Sequence, residues 1–270
     1  MSEINGKVAI ITGGADGIGE ALADDFLNRQ AKGVYIIDIN EKKGQETLNT
    51  LKNKHGAGRI QFRKCDVRYT DLLEAAFKDC MDQYGQLDVV CNNAGIFNEY
   101  TRKLTIDVNL AAVIEGTYLA VKYMGTQNGG KGGVVVNTAS IYGLCPQKLS
   151  TVYAASKHGV VGFTRSVAFE PDVVSNGVRV VAICPDAVDT TLVPIASEIG
   201  VKYTKEIKQF TAGRPLLKLN DVTSTVVHLI EDGSANGTTR LIRVGLACGR
   251  GTLINNLIYD PVKPVQITYL

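Results

Sequence analysis

The sequence lacks a charge imbalance: 29 Lys and Arg stand against 27 Asp and Glu over 270 residues, a net +2 spread in mixed sign. Affinity for nucleic acid or anionic lipid through counterion release needs a basic stripe, so no nucleic-acid partner is expected. Also absent is any Cys-x-x-Cys pair. The six cysteines, Cys65, Cys80, Cys91, Cys145, Cys184 and Cys248, are widely spaced, which reads as reduced thiols in the core and argues against a metal site or a disulfide framework. No apolar run reaches the roughly 18 residues of a membrane-spanning helix, so no membrane span is expected. Residues 1–7 lack the basic start and apolar stretch of a signal peptide, and Leu270 closes no retrieval or prenylation signal. A cytoplasmic location is the expectation. With no proline-rich linker, composition shift or internal repeat, one domain over 1–270 is expected.

What is present is a regular alternation. Apolar, β-branched runs at 7–12, 33–38, 60–64, 87–91, 133–138, 178–184 and 240–244 have no polar alternation, the pattern of strands buried on both faces of a parallel sheet. Helical periodicity fills 17–29, 41–53, 70–84, 101–127, 151–171 and 220–231. Alternating β and α elements imply right-handed βαβ crossovers. The predicted fold is α/β: a three-layer Rossmann fold with a doubly wound, seven-stranded parallel sheet in the order 3-2-1-4-5-6-7 and helices on both faces. The glycine run at 129–133 reads as a helix stop. Residues 189–215 are weakly periodic and contain Pro194, Gly200 and Gly213.

The first strand runs into Thr12-Gly13-Gly14-Ala15-Asp16-Gly17-Ile18-Gly19, and a helix follows. Glycines at 13, 17 and 19 allow a tight turn and close approach of a pyrophosphate to the helix N-terminus. Asp38, about twenty residues beyond the turn, ends the second strand, with Ile39 after it. A carboxylate there accepts hydrogen bonds from ribose hydroxyls and repels the extra phosphate of NADP. Asp16 occupies a position where that phosphate needs a base, so NAD is the predicted cofactor. Asp66 and Val67 close strand three, placed for the adenine amino group and ring. Asn92, Asn93, Ala94 and Gly95 close strand four, where turn chemistry and pocket lining are both open readings. All lie at the carboxyl ends of strands, where ligands of open α/β sheets bind.

Tyr153 and Lys157, four apart on a predicted helix, share a face. A phenol titrates near 10, too high for a base at neutral pH. A nearby ammonium and a positive nicotinamide would lower it, letting Tyr153 take a proton from a substrate hydroxyl. Lys157 would also bond the nicotinamide ribose. Ser140 follows the fifth strand and is expected at the substrate oxygen. Asn109 lies inside the long helix 101–127, where asparagine is mildly unfavourable; it would break the helix locally and hold a water relaying protons from Lys157. His158, beside Lys157, points elsewhere and reads as packing or surface.

Together these motifs resemble the short-chain dehydrogenase/reductase family over nearly the whole chain, with the catalytic tetrad as Asn109, Ser140, Tyr153 and Lys157. The resemblance implies that Pro185, Val188 and Thr190 lie at the nicotinamide carboxamide and that 189–215 is a substrate lid. Pro185-Asp186 stands where the family has Pro-Gly. Residues 116–119, 123–124, 127–130 and 155–166 resemble one branch of the family, the NAD-dependent 15-hydroxyprostaglandin dehydrogenases and insect-type alcohol dehydrogenases. In the former a glutamine three residues before the tyrosine contacts the substrate; here that position is Ser150. The resemblance further implies a homodimer or homotetramer through helices 101–127 and 151–171.

The leading expectation is therefore NAD-dependent oxidation of a secondary alcohol of an apolar, lipid-like substrate to a ketone. Ser140, Ser150, Tyr153 and Leu192 would touch the substrate, with Val193, Ile195 and Ile199 also in the apolar lid. The alternatives are a carbonyl reductase running in reverse and a catalytically weak NAD-binding regulatory protein. The apolar tail 251–270 is placed to cover the pocket or a neighbouring subunit.

Overall fold

The apolar runs pair into a parallel sheet of Val8–Thr12 (β1), Gly33–Asp38 (β2), Ile60–Lys64 (β3), Val89–Asn92 (β4), Gly133–Thr138 (β5), Val178–Pro185 (β6) and Thr239–Ile242 (β7). Their order is β3-β2-β1-β4-β5-β6-β7, as expected from the alternation. This computed structural model describes residues 3–190, 205–206, 213 and 215–244. The expected tail, most of the expected lid, Leu192, Val193, Ile195, Ile199 and Cys248 lie outside the described residues.

Side chains alternate between two cores, because successive strand residues point to opposite faces. Ile11, Ile36, Cys91, Val136 and Ile183 pack on one face with Leu22 and Phe26 of Gly17–Asn28 (α1), Leu48 of Glu41–His55 (α2) and Val226 of Leu219–Glu231 (α8). Ile10, Ile37, Val90, Val135 and Val180 pack on the other with Phe77 of Thr70–Tyr84 (α3) and Leu119 and Met124 of Ala112–Met124 (α5). Burial on both faces explains why the strand runs show no polar alternation.

Two helices differ from the periodicity. The stretch expected at 101–127 is Arg102–Ile106 (α4), a π-helical turn Asp107–Ala111, and α5, all continuous. It stops at Met124 because the glycine run folds back on it: Gly132 N–H bonds the Met124 carbonyl at 2.8 Å, and a Cβ on Gly130 would lie 2.0 Å from that oxygen. Contrary to expectation, Arg102–Met124 is by length and composition apolar enough to cross a membrane, although half of its most apolar stretch is buried within the protein. The second stretch, 151–171, ends at Val167 (α6, Thr151–Val167). Pro171 has no N–H to continue a helix and instead opens the short Pro171–Ser175 (α7).

Cys65, Cys80, Cys91 and Cys184 are buried thiols, and no His/Cys/Asp/Glu group that would hold a metal occurs among the described residues. Burial pushes Cys65 up to about 11 and Cys80, Cys91 and Cys184 up to about 12. A thiol whose pKa is raised on folding stays protonated while its unfolded counterpart ionises. Stability from these groups is thus whole below about pH 9 and is lost as pH rises through 11–12, each group contributing about 1.4 kcal/mol per pH unit in that window. Lys157, lowered to about 8, acts in the opposite sense from about 8 upward but is one group against four. The expected result is a melting temperature that falls steeply between about pH 9 and 11. A flat profile by circular dichroism would contradict the burial of these thiols.

Candidate active site

β1 ends at Thr12 between β2 and β4, so the chain leaves the sheet in opposite directions on its two sides and opens a crevice at their carboxyl ends. α1 starts there, and Asp16 is its N-cap, its Oδ1 accepting from Gly17 N–H at 2.7 Å. The turn is shaped by two glycines. Gly13 has φ +64°, and a Cβ on Gly19 would stand 2.1 Å from the Gly13 carbonyl oxygen. The helix N-terminus is thereby pressed close to the strand end, in the shape of a backbone cradle for an anion. Thr190 lies across it, with its Cγ2 3.3 Å from where a Gly17 Cβ would be.

The strand-four end ties this cradle in place. Asn93 Nδ2 donates to the carbonyls of Thr12 and Gly13 at 3.1 and 3.2 Å, and the Thr12 hydroxyl accepts from Asn93 N–H and Ala94 N–H, each at 3.0 Å. Asn92 is buried on Asn137 and Thr117. The polar groups of Asn92 and Asn93 thus serve the fold, and Gly95 alone of the four is exposed. Asp38 accepts from Ala15 N–H at 3.1 Å and Asn40 N–H at 2.9 Å, which orients its carboxylate beside the same loop. Ile39 follows it, 59% exposed, an apolar surface at the crevice rim. Val67 is nearly buried, and Asp66 is held by the Arg68 guanidinium, Nε to Oδ1 at 2.9 Å, which keeps its carboxyl below the usual range. Arg68, four positions past β3, is not marked by the motif; the end of β3 offers an ion pair rather than a lone acid.

Ser140, Tyr153 and Lys157 come together where β5 ends against α6. Ser140 follows β5, and its hydroxyl lies near enough to the Tyr153 phenol to lower the phenol's pKa. Burial nonetheless dominates and pushes Tyr153 up to about 12. The same burial lowers Lys157 to about 8, and its Nζ donates to the Thr138 carbonyl at 2.7 Å while standing 5.7 Å from the Tyr153 ring centre. Contrary to expectation, Lys157 is not among the influences that lower the phenol: desolvation raises it, and the lowering influence is Ser140. Asn109 also differs from expectation. It widens the helix into a π turn instead of breaking it, and its carboxamide is committed, accepting from Ile96 N–H at 2.8 Å and donating to Ile96 C=O at 2.9 Å. Such turns often mark functional sites. Gly95 lies between Asn109 and Lys157: a Cβ on it would be 3.4 Å from Asn109 Oδ1 and 3.6 Å from Lys157 Nζ.

Ser150 is 1% exposed at the position preceding α6, which leaves it no surface for a substrate to touch. His158 Nδ1 faces the Ala154 carbonyl at 2.9 Å, a packing role as expected. Asp186 replaces a glycine without strain: among the described non-glycine residues only Gln30 has positive φ. Asp186 N–H extends the strand pairing to the Ile242 carbonyl at 2.8 Å. Pro185 pairs with Ile242 at the end of β6, and Val188 bridges Leu217.

Besides Arg68, three residues that no sequence motif marks lie at Tyr153. Phe97 stacks on Tyr153 with ring centres 4.6 Å apart, and Tyr142 meets it edge-on at 6.5 Å. Glu99 accepts from the backbone N–H groups of Val152 and Tyr153. Nothing local in the sequence joins residue 99 to a helix that starts at 151.

The family model described as short chain dehydrogenase matches residues 7–198. The chain is 39% identical to the 15-hydroxyprostaglandin dehydrogenase (NAD(+)) of Mus musculus, over 87% of this chain and 88% of that one. It is 31% identical to alcohol dehydrogenase 1 of Ceratitis cosyra, over 74% and 76%. Among solved structures it is similar to levodione reductase, with a TM-score of 0.78 and 26% identity, covering 88% of this chain and 96% of that chain.

Proposed function

The chain belongs to the short-chain dehydrogenase family, and on that premise we propose that it is an NAD-dependent alcohol dehydrogenase oxidising a secondary alcohol of an apolar, lipid-like substrate to a ketone. The observation that carries this reading is the buried Tyr153 phenol beside the Ser140 hydroxyl, with Lys157 one helical turn on and its Nζ 5.7 Å from the ring centre. NAD, when bound, supplies the hydride acceptor and a positive ring that favours phenolate.

Tyr153 accepts the alcohol proton as the carbon gives up its hydride, and Ser140 holds the oxygen through the change from hydroxyl to carbonyl. Lys157 bonds the nicotinamide ribose and hands the phenol's proton outward past Gly95. Asn109 keeps that strand-end loop in register. Gly13, Gly17, Ile18 and Gly19 would receive the pyrophosphate, Asp38 the adenosine ribose with Asp16 disfavouring the extra phosphate of NADP, and Ile39, Asp66 and Val67 the adenine. Ala94 and Gly95 line the cleft above Asn93, and Pro185, Val188 and Thr190 flank the carboxamide. Phe97 and Tyr142 give the substrate an apolar wall beside the reacting oxygen. Tyr118 and Phe169, 43% and 62% exposed, fit the two-fold contact of a homodimer.

The test is NADH production over a panel of prostaglandins, sterols and short alcohols, with NADP in parallel. Turnover with lipid alcohols and NAD is expected; activity confined to ketone reduction with NADPH would overturn the reading. Asp38 sets the cofactor choice by repulsion, so Asp38→Ser is expected to narrow the NAD over NADP preference in kcat/KM by roughly ten- to a hundredfold. An unchanged ratio would remove Asp38 from that role.

A further inference from the structure

We propose that Glu99 is a positioning residue of the site, its carboxylate capping the first turn of α6 and so holding Tyr153 at its reacting position. The proposal rests on the reading of Tyr153 as the proton acceptor.

A helix leaves its first N–H groups without internal partners, and a side chain at the N-cap commonly serves them. Ser150, the N-cap of α6, makes no such bond. Glu99 does so from a different part of the chain: its Oε2 accepts from Val152 N–H at 3.0 Å and its Oε1 from Tyr153 N–H at 2.8 Å. The Thr151 hydroxyl adds a third, longer bond to Oε2 at 3.4 Å. Two charge-assisted bonds from one carboxylate, at the positive end of a 17-residue helix, make a strong cap.

The consequence falls on Tyr153 in particular. It is the third residue of the helix, in the turn that frays first, and its own amide is one of the two bonds. Lys157, a turn further in, is anchored separately on the Thr138 carbonyl. Glu99 is in turn well placed to hold something else. Its loop is clamped at Ile96 by Asn109, and Asn98 Oδ1 accepts from Tyr100 N–H and Thr101 N–H at 2.9 and 2.8 Å. Phe97 on the same loop stacks on the Tyr153 ring. The loop after β4 therefore grips the catalytic tyrosine twice, by its amide through Glu99 and by its ring through Phe97. The π turn that carries Asn109 fixes the base of the grip. Glu99 acts through placement, because the polar groups that shift the phenol are those of Ser140, Tyr142 and Cys184.

The experiment compares the full chain with Glu99→Ala, Glu99→Gln and Tyr153→Phe, using NAD and the best alcohol from the panel. A misplacement of the order of 1 Å costs about a hundredfold in rate. Glu99→Ala is expected to lower kcat roughly 30- to 100-fold and leave the KM for NAD within about twofold. The rising limb of its kcat–pH profile is expected at higher pH, because the Ser140 contact that lowers the phenol is loosened. Glu99→Gln keeps one acceptor oxygen and turns its NH2 toward the other amide, so its kcat is expected to lie between those of Glu99→Ala and the native chain. A cap of purely structural value would lower the melting temperature of Glu99→Ala and leave kcat per folded molecule and its pH profile unchanged; that result would overturn the proposal. If Glu99→Ala does not fold, Glu99→Asp, whose shorter arm serves one amide at most, is judged on the same readouts. Native turnover in Tyr153→Phe would overturn the functional reading, and this proposal with it. Should the native chain oxidise no alcohol, hydrogen exchange at the Tyr153 amide and spectrophotometric titration of its phenol carry the test. Values in Glu99→Ala equal to the native ones would then refute the role of Glu99.

Discussion

Tyr153→Phe is expected to lose roughly 10³- to 10⁴-fold in kcat while binding NAD with near-native affinity. The ring is buried between Phe97 and Tyr142, and phenylalanine fills the same space, so the core around it does not collapse. What disappears is one oxygen, the group that accepts the substrate proton. General acid–base groups contribute about 10² to 10⁴ to rate. The loss of the contact with the Ser140 hydroxyl costs about 1 kcal/mol of stability, little enough to leave the protein folded. Steady-state NADH absorbance and calorimetric titration with NAD check the two halves separately. A variant within tenfold of native kcat would end the assignment of Tyr153 as base. A variant that fails to bind NAD would show instead that the tyrosine holds the cofactor site together.

Gly19→Ala is expected to weaken NAD binding by about a hundredfold or more and to lower stability as well. A Cβ there would stand 2.1 Å from the Gly13 carbonyl oxygen and 2.9 Å from Asn93 Nδ2. Both neighbours are fixed, since the Gly13 carbonyl is itself bonded by Asn93. Neither is a flexible side-chain end that can swing aside. The first turn of α1 must therefore move away from β1, and with it the amides that would face a pyrophosphate. Overpacking of this kind costs about 1–3 kcal/mol or more, and each ~1.4 kcal/mol of it that falls on the bound state is tenfold in affinity. Gly162, on α6, provides the contrast: nothing lies within 4 Å of a Cβ there, so Gly162→Ala should bind NAD as the native chain does. Equal NAD affinity in Gly19→Ala and native protein, by fluorescence titration, would contradict the close packing of the turn.

Much of this was readable before any coordinates. The strand order followed from seven apolar runs alternating with helical periodicity, because burial on both faces leaves a pattern in composition that needs no knowledge of contacts. The glycine turn, Asp38, Ser140 and the Tyr153–Lys157 pair were also legible, since each depends on spacing within a single element or at its end. What was not legible shares a cause. Asp66 was read without Arg68, Ser150 without its burial, and the phenol of Tyr153 without the desolvation that raises it. Each outcome turns on what surrounds a side chain in three dimensions.

The same division separates the halves of the active site. Sequence alone determined which groups are present: a phenol and an ammonium one helical turn apart, a hydroxyl after β5, a cradle between strand and helix. Tertiary structure alone decided how they are held. The cap on Tyr153 comes from Glu99, 54 positions away, and the anchor of Lys157 from the Thr138 carbonyl, 19 positions away. The physical reason is that helix ends and buried ammonium groups must find hydrogen-bond partners wherever the fold brings them. Such partners carry no spacing rule, so they become visible only when the chain has closed on itself.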